Sequence, residues 1–439
     1  VSESDTPRPT SPEDEAARGA IDAVWRIESP RLLGGLVRVV GDLDRAEDLA
    51  QFALLRALET WPTEGIPDNP GAWLMATAKH RAFDRQRRAR MKDRKHEQLQ
   101  HARSSAHTPD IETAIDEDVG DDLLRLILIA CHPILSTQAR VGLTLKLVGG
   151  LSTTEIARAF LISESTAAQR LVRAKKTIAA AKVPFEVPHG EALAERIPHV
   201  LAVLYLIFNE GHAATSDASV VRARLCAEAM RLARVFAALV PEHAEAHGLS
   251  ALLELTAARI PARTARDGSI VLLEDQDRTR WDRLLARRGH ASLERAIALS
   301  APLGPYTLQA AISWCHTRAK TFEETDWDEI LALYDALTAL TGSPVVELNR
   351  AMAMAMAWGP EEALELLDEL ADDPALQGYH HLPSVRGEVL FRAGRMPEAR
   401  QAFERAAQLA SNERDRAMLL ERASACDAFR LEVVSKQDK

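Results

Sequence analysis

Along this chain apolar residues return every three or four positions and almost nowhere every two, so the pattern predicts helices throughout and few or no strands. In DRAEDLAQFALLRALETW (44–61), Ala46, Leu49, Ala50, Ala53, Leu54, Ala57 and Leu58 line one broad stripe, leaving Asp44, Glu47, Asp48 and Gln51 on the opposite side. The segment PTEGIPDNPG interrupts that pattern with three prolines and two glycines, and Pro70 suits the first turn of a new helix. In the helix that follows, Trp73, Leu74, Ala78, Arg81, Ala82 and Arg85 sit three or four apart, giving an apolar start and a basic end.

A shorter pattern occupies LSTTEIARAFLISESTAAQRLVRAKKTIAAAK (151–182). Thr153 to Phe160 reads as a short helix with Ile156, Ala157 and Phe160 inward, Leu161 to Ser163 as a tight turn, and Glu164 to Ala181 as a longer helix capped by Ser163. Ala167, Leu171, Ala174 and Ile178 face inward on the second helix. Ser165, Thr166, Gln169, Arg170, Arg173 and Lys176 are then left for a DNA major groove, in a helix-turn-helix whose small Ala157 lets the helices approach. Near the far end, LNRAMAMAMAWGPEEALELLDEL and SVRGEVLFRAGRMPEARQAFERA superpose at an offset of 36 residues. Ala351, Ala363, Leu367 and Leu370 fall on Gly387, Ala399, Phe403 and Ala406, a period close to that of tetratricopeptide-like helix pairs.

With 439 residues, 46% of them hydrophobic, the chain can bury the cores of several domains. The whole is read as all-α. The N-terminal VSESDTPRPTSPEDEAARG is acidic, rich in Pro and Ser and predicted to be disordered over 1–18. The longest apolar run, VLAVLYLIF (200–208), is too short to cross a bilayer, so a cytoplasmic protein with no membrane partner is expected. Cys131, Cys226, Cys315 and Cys426 are far apart and form no C-x-x-C pair, which suggests reduced, buried thiols and no metal or cofactor.

Charge sharpens this picture. The formal net charge is -10, all of it beyond residue 182, because residues 1–182 hold 26 basic and 26 acidic side chains. Within that neutral part the signs are sorted: residues 79–103 carry ten basic and three acidic side chains, and 104–122 carry seven acids and no base. A single-signed basic helix following an aromatic anchor, with a second basic helix downstream, points to nucleic acid.

Two polar clusters sit in the apolar second half, YLIFNEGH (205–212) and LLEDQDRTRW (272–281). An enzyme would use Asn209, Glu210, His212, Glu274, Asp275, Asp277 and Arg278 for acid/base work. The simpler reading makes Gly211 a helix C-cap and the polar groups partners for helix ends. His243 and His247 have the spacing of metal ligands but lack the glutamate of a zinc protease motif.

At this point DRAEDLAQFALLRALETW, GAWLMATAKHRAFDRQRR, the acidic linker and LSTTEIARAFLISESTAAQRLVRAKK together resemble regions 2 and 4 of a sigma-70-family sigma factor of the extracytoplasmic-function group. The resemblance implies region 2 over 19–98, a linker over 99–122 and region 4 over 123–182. By that likeness Asp44, Glu47, Asp48 and Gln51 would meet core RNA polymerase. Lys79, His80, Arg81, Arg85, Arg87 and Arg88 would meet the melted nontemplate strand of the minus-ten element, with His80 standing where the family often has Asn. The exposed face from Ser165 to Lys176 would read the duplex minus-thirty-five element. The loop Pro62 to Pro70 is the expected pocket for an extruded base.

The remaining residues carry LYLIFNEGH, LLEDQDRTRW, GPYTLQAAISWCH, TDWDEILALYD and SPVVELNRAMAMA, and resemble the helical extension fused to one subgroup of these factors. Asn209, Glu210, Gly211, Asp275, Gln276, Asp277 and Arg278 are its motif residues. A helical extension over 187–342 followed by helix pairs over 343–430 is expected, regulating the factor and offering a surface to a regulatory protein or ligand. The short join KVPFEVPHGE, the run VLAVLYLIF and Trp281 suggest apolar packing on region 4 or region 2. The competing readings are a one-component helix-turn-helix regulator with a sensing domain, and an enzyme with a helix-turn-helix appended.

Overall fold

A computed structural model describes residues 12–97, 119–160, 162–212, 219–265, 269–299, 302–410 and 413–437. The chain divides into two compact units, one up to Leu239 and one from Val240. Among the described residues there is no strand, only an isolated bridge between Thr264 and Ile270, and no helix is long and apolar enough to cross a membrane.

The first unit begins with three helices, α1 (Pro12–Val40), α2 (Leu43–Glu64) and α3 (Pro70–Glu97). Gly41 separates α1 from α2 with φ 67°, a left-handed value that glycine adopts without the Cβ penalty. Asp42 then caps α2, accepting a hydrogen bond from the Arg45 backbone N–H at 2.8 Å. The α2 stripe buries Ala46, Leu49, Ala50, Ala53 and Ala57 against Leu32, Leu36 and Val37 of α1 and Leu74 and Ala78 of α3. Its outer edge differs from the sequence reading, since Leu54 is half-buried and Leu58 is 39% exposed. The alanine seam lets the helix backbones approach closely, and the narrower contact takes in Trp61 in place of Leu58. Helix α2 runs through Pro62, so the connecting loop is Gly65–Asn69, shorter than the expected Pro62 to Pro70.

Next come α4 (Val119–Ala130), α5 (Thr137–Leu147), α6 (Thr153–Ala159) and α7 (Glu164–Ala180), then α8 (Glu191–His212) and α9 (Ser219–Leu239). Helix α4 starts inside the stretch read as acidic linker, the rest of which lies outside the described residues. Asp122 is buried there because it accepts from Arg38 of α1 at 3.1 Å and Arg125 at 2.7 Å. Its backbone carbonyl lies where a Cβ on Gly34 would be 2.7 Å away, so glycine at 34 is what allows α4 to sit on α1. Helices α8 and α9 pack on each other and onto α4, α5 and α6. The run VLAVLYLIF supplies Val200, Leu201, Val203, Leu204, Ile207 and Phe208 to this core.

The second unit opens with α10 (Ala244–Ala258), three single 3-10 turns between Ile260 and Arg280, α11 (Arg283–Leu299) and α12 (Pro305–Arg318). Glu245 caps α12 from a distance, accepting from the Tyr306 and Thr307 N–H groups at 2.7 and 3.1 Å, where a carboxylate also meets the positive end of the helix dipole. Then follow α13 (Trp327–Thr341), α14 (Pro344–Ala357), α15 (Pro360–Leu370), α16 (His381–Arg392), α17 (Met396–Leu409) and α18 (Glu413–Gln437), each packed on the next. Proline occupies the first turn of α12, α14, α15 and α17, where its missing N–H costs nothing.

The residues paired by the 36-residue offset are all buried in one continuous core: Ala351, Ala363, Leu367 and Leu370 in α14–α15, and Gly387, Ala399, Phe403 and Ala406 in α16–α17. A Cβ at Gly387 would lie 2.8 Å from the Phe403 ring, so the small residue on one helix makes room for the large one on its partner. Trp281 is buried within this second unit, beneath Arg278, whose guanidinium carbon lies 4.7 Å from its ring centroid. All four cysteines are buried free thiols.

Candidate nucleic-acid interface

The helix-turn-helix is built by its caps. Ser152 and Glu155 form a reciprocal capping box at the start of α6, with bonds of 3.1 and 2.9 Å. Ser163 does the same for α7 on one side, accepting from the Thr166 N–H at 3.2 Å. Thr154 of α6 donates to Glu164 at 2.9 Å and ties the two helix starts together. Ala167, Leu171, Ala174 and Ile178 are buried, as their spacing predicts. The face opposite is open: Ser165, Gln169, Arg173 and Lys176 are exposed, Thr166 and Arg170 half-buried. Arg170 and Arg173 border a shallow cavity of about 240 Å³ against Ile134, Leu135 and Ser136, and neither they nor Lys176 has a carboxylate partner among the described residues.

The basic helix α3 is less uniform than its sequence. His80 and Arg87 are exposed and Lys79 is half-buried, while the side chains of Arg85 and Arg88 lie outside the described ones. Arg81 departs from the expectation of an outward-facing cation. Its guanidinium lies 4.7 Å from the Phe52 ring centroid and its Nε is buried without a partner, so it clamps α3 to α2. The base of the helix is fixed by Trp73, edge-on to Trp61 at 5.2 Å, and by Asn69, which caps α3 through the Ala72 N–H at 3.1 Å. Asn69, Lys79, His80 and Phe83 border a cavity of about 650 Å³ between α1 and α3, which Arg31, Arg38 and Asp122 close on the other side.

The acidic face of α2 is not bare. Lys175 of α7 places Nζ 2.5 Å from Asp44 and 2.6 Å from Glu47. Burial disfavours its ammonium, but the two carboxylates outweigh that and raise its pKa. Asp48 and Gln51 are exposed, and together with Asp44 and Glu47 they border a cavity of about 490 Å³ closed by Lys146, Thr153, Ala168, Leu171, Val172 and Lys175. The sequence reading missed Lys175.

Further ties join these helices. Glu155 accepts from Arg26 of α1 at 3.0 Å and from Arg224 of α9 at 3.2 Å. Burial raises its pKa, but the Ser152 hydrogen bonds and the two arginines hold it below its ordinary value. Arg231 of α9, steadied by Glu228, donates to the Val148 carbonyl at 3.1 Å and so satisfies the open end of α5. Arg140 of α5 meets His199 of α8 at 3.4 Å.

The extension motif residues bind the chain to itself. Asn209, Glu210 and Gly211 fall in the last turn of α8; Gly211 is buried and helical, whereas the sequence reading made it the C-cap, and α8 runs on to His212, stacked on Phe208 at 5.4 Å. In the second unit Gln276 donates to the Val271 carbonyl at 3.2 Å, and Asp277 caps the turn at Thr279. Arg278 donates to the carbonyls of His316 and Ala319 at 2.6 and 2.8 Å, closing the end of α12, and Glu274 pairs with Arg392 at 2.5 Å. Asp275 is exposed. His247 Nε2 lies 2.9 Å from the Pro241 carbonyl, and among the described residues no three His, Cys, Asp or Glu side chains are grouped to hold a metal.

Residues 25–91 match sigma-70 region 2 and residues 125–178 match sigma-70 region 4, while residues 196–297 match a family of unknown function, DUF6596. The ECF RNA polymerase sigma factor SigL of Mycobacterium tuberculosis is 30% identical over 136 residues, 31% of this chain and 73% of that one. An uncharacterized protein of Rhizobium meliloti is 41% identical over 395 residues, 90% of this chain and 93% of the relative, so the extension is shared with it as well. The chain belongs to the sigma-70 family, as an extracytoplasmic-function sigma factor carrying a C-terminal helical extension. It is a transcription initiation factor, of a family that binds core RNA polymerase and promoter DNA and is not enzymatic.

Proposed function

We propose that the open face of α7, from Ser165 to Lys176, reads the minus-thirty-five element. On α3, Lys79, His80, Arg85, Arg87 and Arg88 hold the melted minus-ten strand, while Arg81 keeps that helix in place. The observation that carries this reading is the α7 face itself: a capped helix presents Arg170, Arg173 and Lys176 with no carboxylate among the described residues to neutralise them. In this reading Asp44, Glu47, Asp48 and Gln51 dock on core polymerase. The domain limits follow the same assignment, with a disordered segment over 1–18, region 2 over 19–98, a linker over 99–122 and region 4 over 123–182.

The extension acts as a regulatory brace, and its tetratricopeptide-like pairs offer a surface to a regulatory protein or ligand. Support comes from α8 and α9, which pack on each other and on the helices of region 4 and supply Arg224 and Arg231 to its helix ends. Truncation after Lys182 would expose the surface they cover, so the shortened chain should be poorly soluble or weakly active in run-off transcription. The DNA-reading assignment is tested by Arg170→Ala and Arg173→Ala. Each should weaken binding to the cognate element by about 1–3 kcal/mol for a bidentate base contact. Equal losses on cognate and scrambled elements would remove that arginine from sequence reading.

A further inference from the structure

Helix α7 has three faces. One is buried in region 4, one is open, and the third carries Lys175, Ala168 and Val172 toward the acidic side of α2. Lys175 and Glu47 have side chains only 17% and 15% exposed, more enclosed than an incidental surface pair, and 128 residues of chain separate them. Around this contact the two helices are not packed as a core is packed. A solvent-open cleft of about 490 Å³ lies between them, bordered chiefly by polar side chains. An ion pair at the edge of an open polar cleft, with Asp44 still 65% exposed, has the build of a contact that forms and parts.

We infer that Lys175 is an intramolecular competitor of core RNA polymerase: by pairing with Asp44 and Glu47 it holds the first unit in a state in which two of the four docking residues are already engaged by its own region 4, while the DNA-reading face stays open. This rests on the assignment of that α2 face to polymerase docking. Polymerase then binds only the fraction of molecules in which the pair has parted, and its apparent affinity falls by that fraction. Promoter DNA reaches the open face of α7 without disturbing the pair, so DNA alone does not activate the factor.

Titration of core polymerase with the full chain tests this. Lys175→Glu replaces attraction by repulsion and should tighten the Kd on the order of tenfold, whereas Lys175→Arg keeps the charge and should leave it near the wild-type value. Asp48→Arg, on the same face of α2, should weaken binding whether or not Lys175 is changed. If Lys175→Glu leaves the Kd unaltered while Asp48→Arg abolishes binding, the docking face stands and the competitor is overturned. If Asp48→Arg has no effect, the docking assignment itself fails and takes the competitor with it. A chain with Glu47→Cys and Lys175→Cys joined by a short bis-maleimide supplies the converse, since the natural cysteines are all buried. Linked protein should lose binding relative to the same protein left unlinked, and equal binding by the two would overturn the proposal.

Discussion

The two units of this chain are held together by different means. In the first, distant segments meet through charge: Arg26 with Glu155, Arg38 with Asp122, and Lys175 with Asp44 and Glu47, each pair spanning some 80 residues of chain or more. In the second, a continuous apolar core runs from α12 to α18, where each helix packs chiefly on its neighbours in sequence, and the long-range pair Glu274 with Arg392 is an addition to that core. Ion pairs yield to a competing charge, whereas a core of nearest-neighbour helix pairs yields only to unfolding. The first unit is therefore suited to rearrange and the second to keep its shape.

The largest effect that bears on this contrast should come from Phe403→Ala. The ring is 2% exposed and fills the space left by Gly387, so its loss should cost about 3–5 kcal/mol and be felt throughout α14 to α18. Urea midpoints followed by hydrogen exchange in those helices would measure it. A loss confined to α16 and α17 would break the picture of one continuous core.

A second test uses His316. Burial pushes its imidazole down to about 3, with Arg259 and Arg278 beside it adding to the effect. The folded second unit thus refuses a proton that the unfolded chain accepts. Its stability is complete above the ordinary histidine value of 6.5 and is lost as pH falls from there toward 3, by at most about 1.4 kcal/mol per pH unit. His316→Phe should flatten that slope between pH 6.5 and 4, as read by thermal unfolding across pH.

The smallest effect belongs to the ion pairs of Glu155. Glu155→Gln keeps the shape but removes the charge shared by Arg26 and Arg224, and should cost about 1 kcal/mol, discounted for partial exposure. Because the Glu155 carboxyl is held below its ordinary 4.5, its contribution is present above that pH and lost as pH falls through the lowered value. Added salt should shrink the difference between wild type and variant, and a salt-independent difference would show that the Glu155 contacts are not electrostatic.

What the sequence makes legible here is local. The cap Ser163 and the inward residues Ala167, Leu171, Ala174 and Ile178 are fixed by spacing within a turn or two, and the structure has them where the spacing puts them. The 36-residue offset is legible for the same reason, since a repeat is a comparison of the chain with itself. Lys175 is invisible by such means. It sits between an apolar stripe and a polar one, and its partners lie 128 residues away or more with no pattern to announce them. Asp122 is concealed differently, because a run of acids reads as a solvated linker until Arg38 and Arg125 are known to converge on it. For Arg81, family likeness points to a DNA-facing cation, and only the Phe52 ring shows that its guanidinium is already engaged.

The bond from Arg231 to the Val148 carbonyl also has a meaning for how the protein is made. Its partners are 83 residues apart, and Arg231 is the later of the two. At a synthesis rate of about 5–20 residues per second, the end of α5 is translated roughly 4–17 s before the guanidinium that completes it. Through that interval the nascent helix-turn-helix waits with its underside uncovered, and ribosome-associated chaperones have their clearest opportunity to hold it.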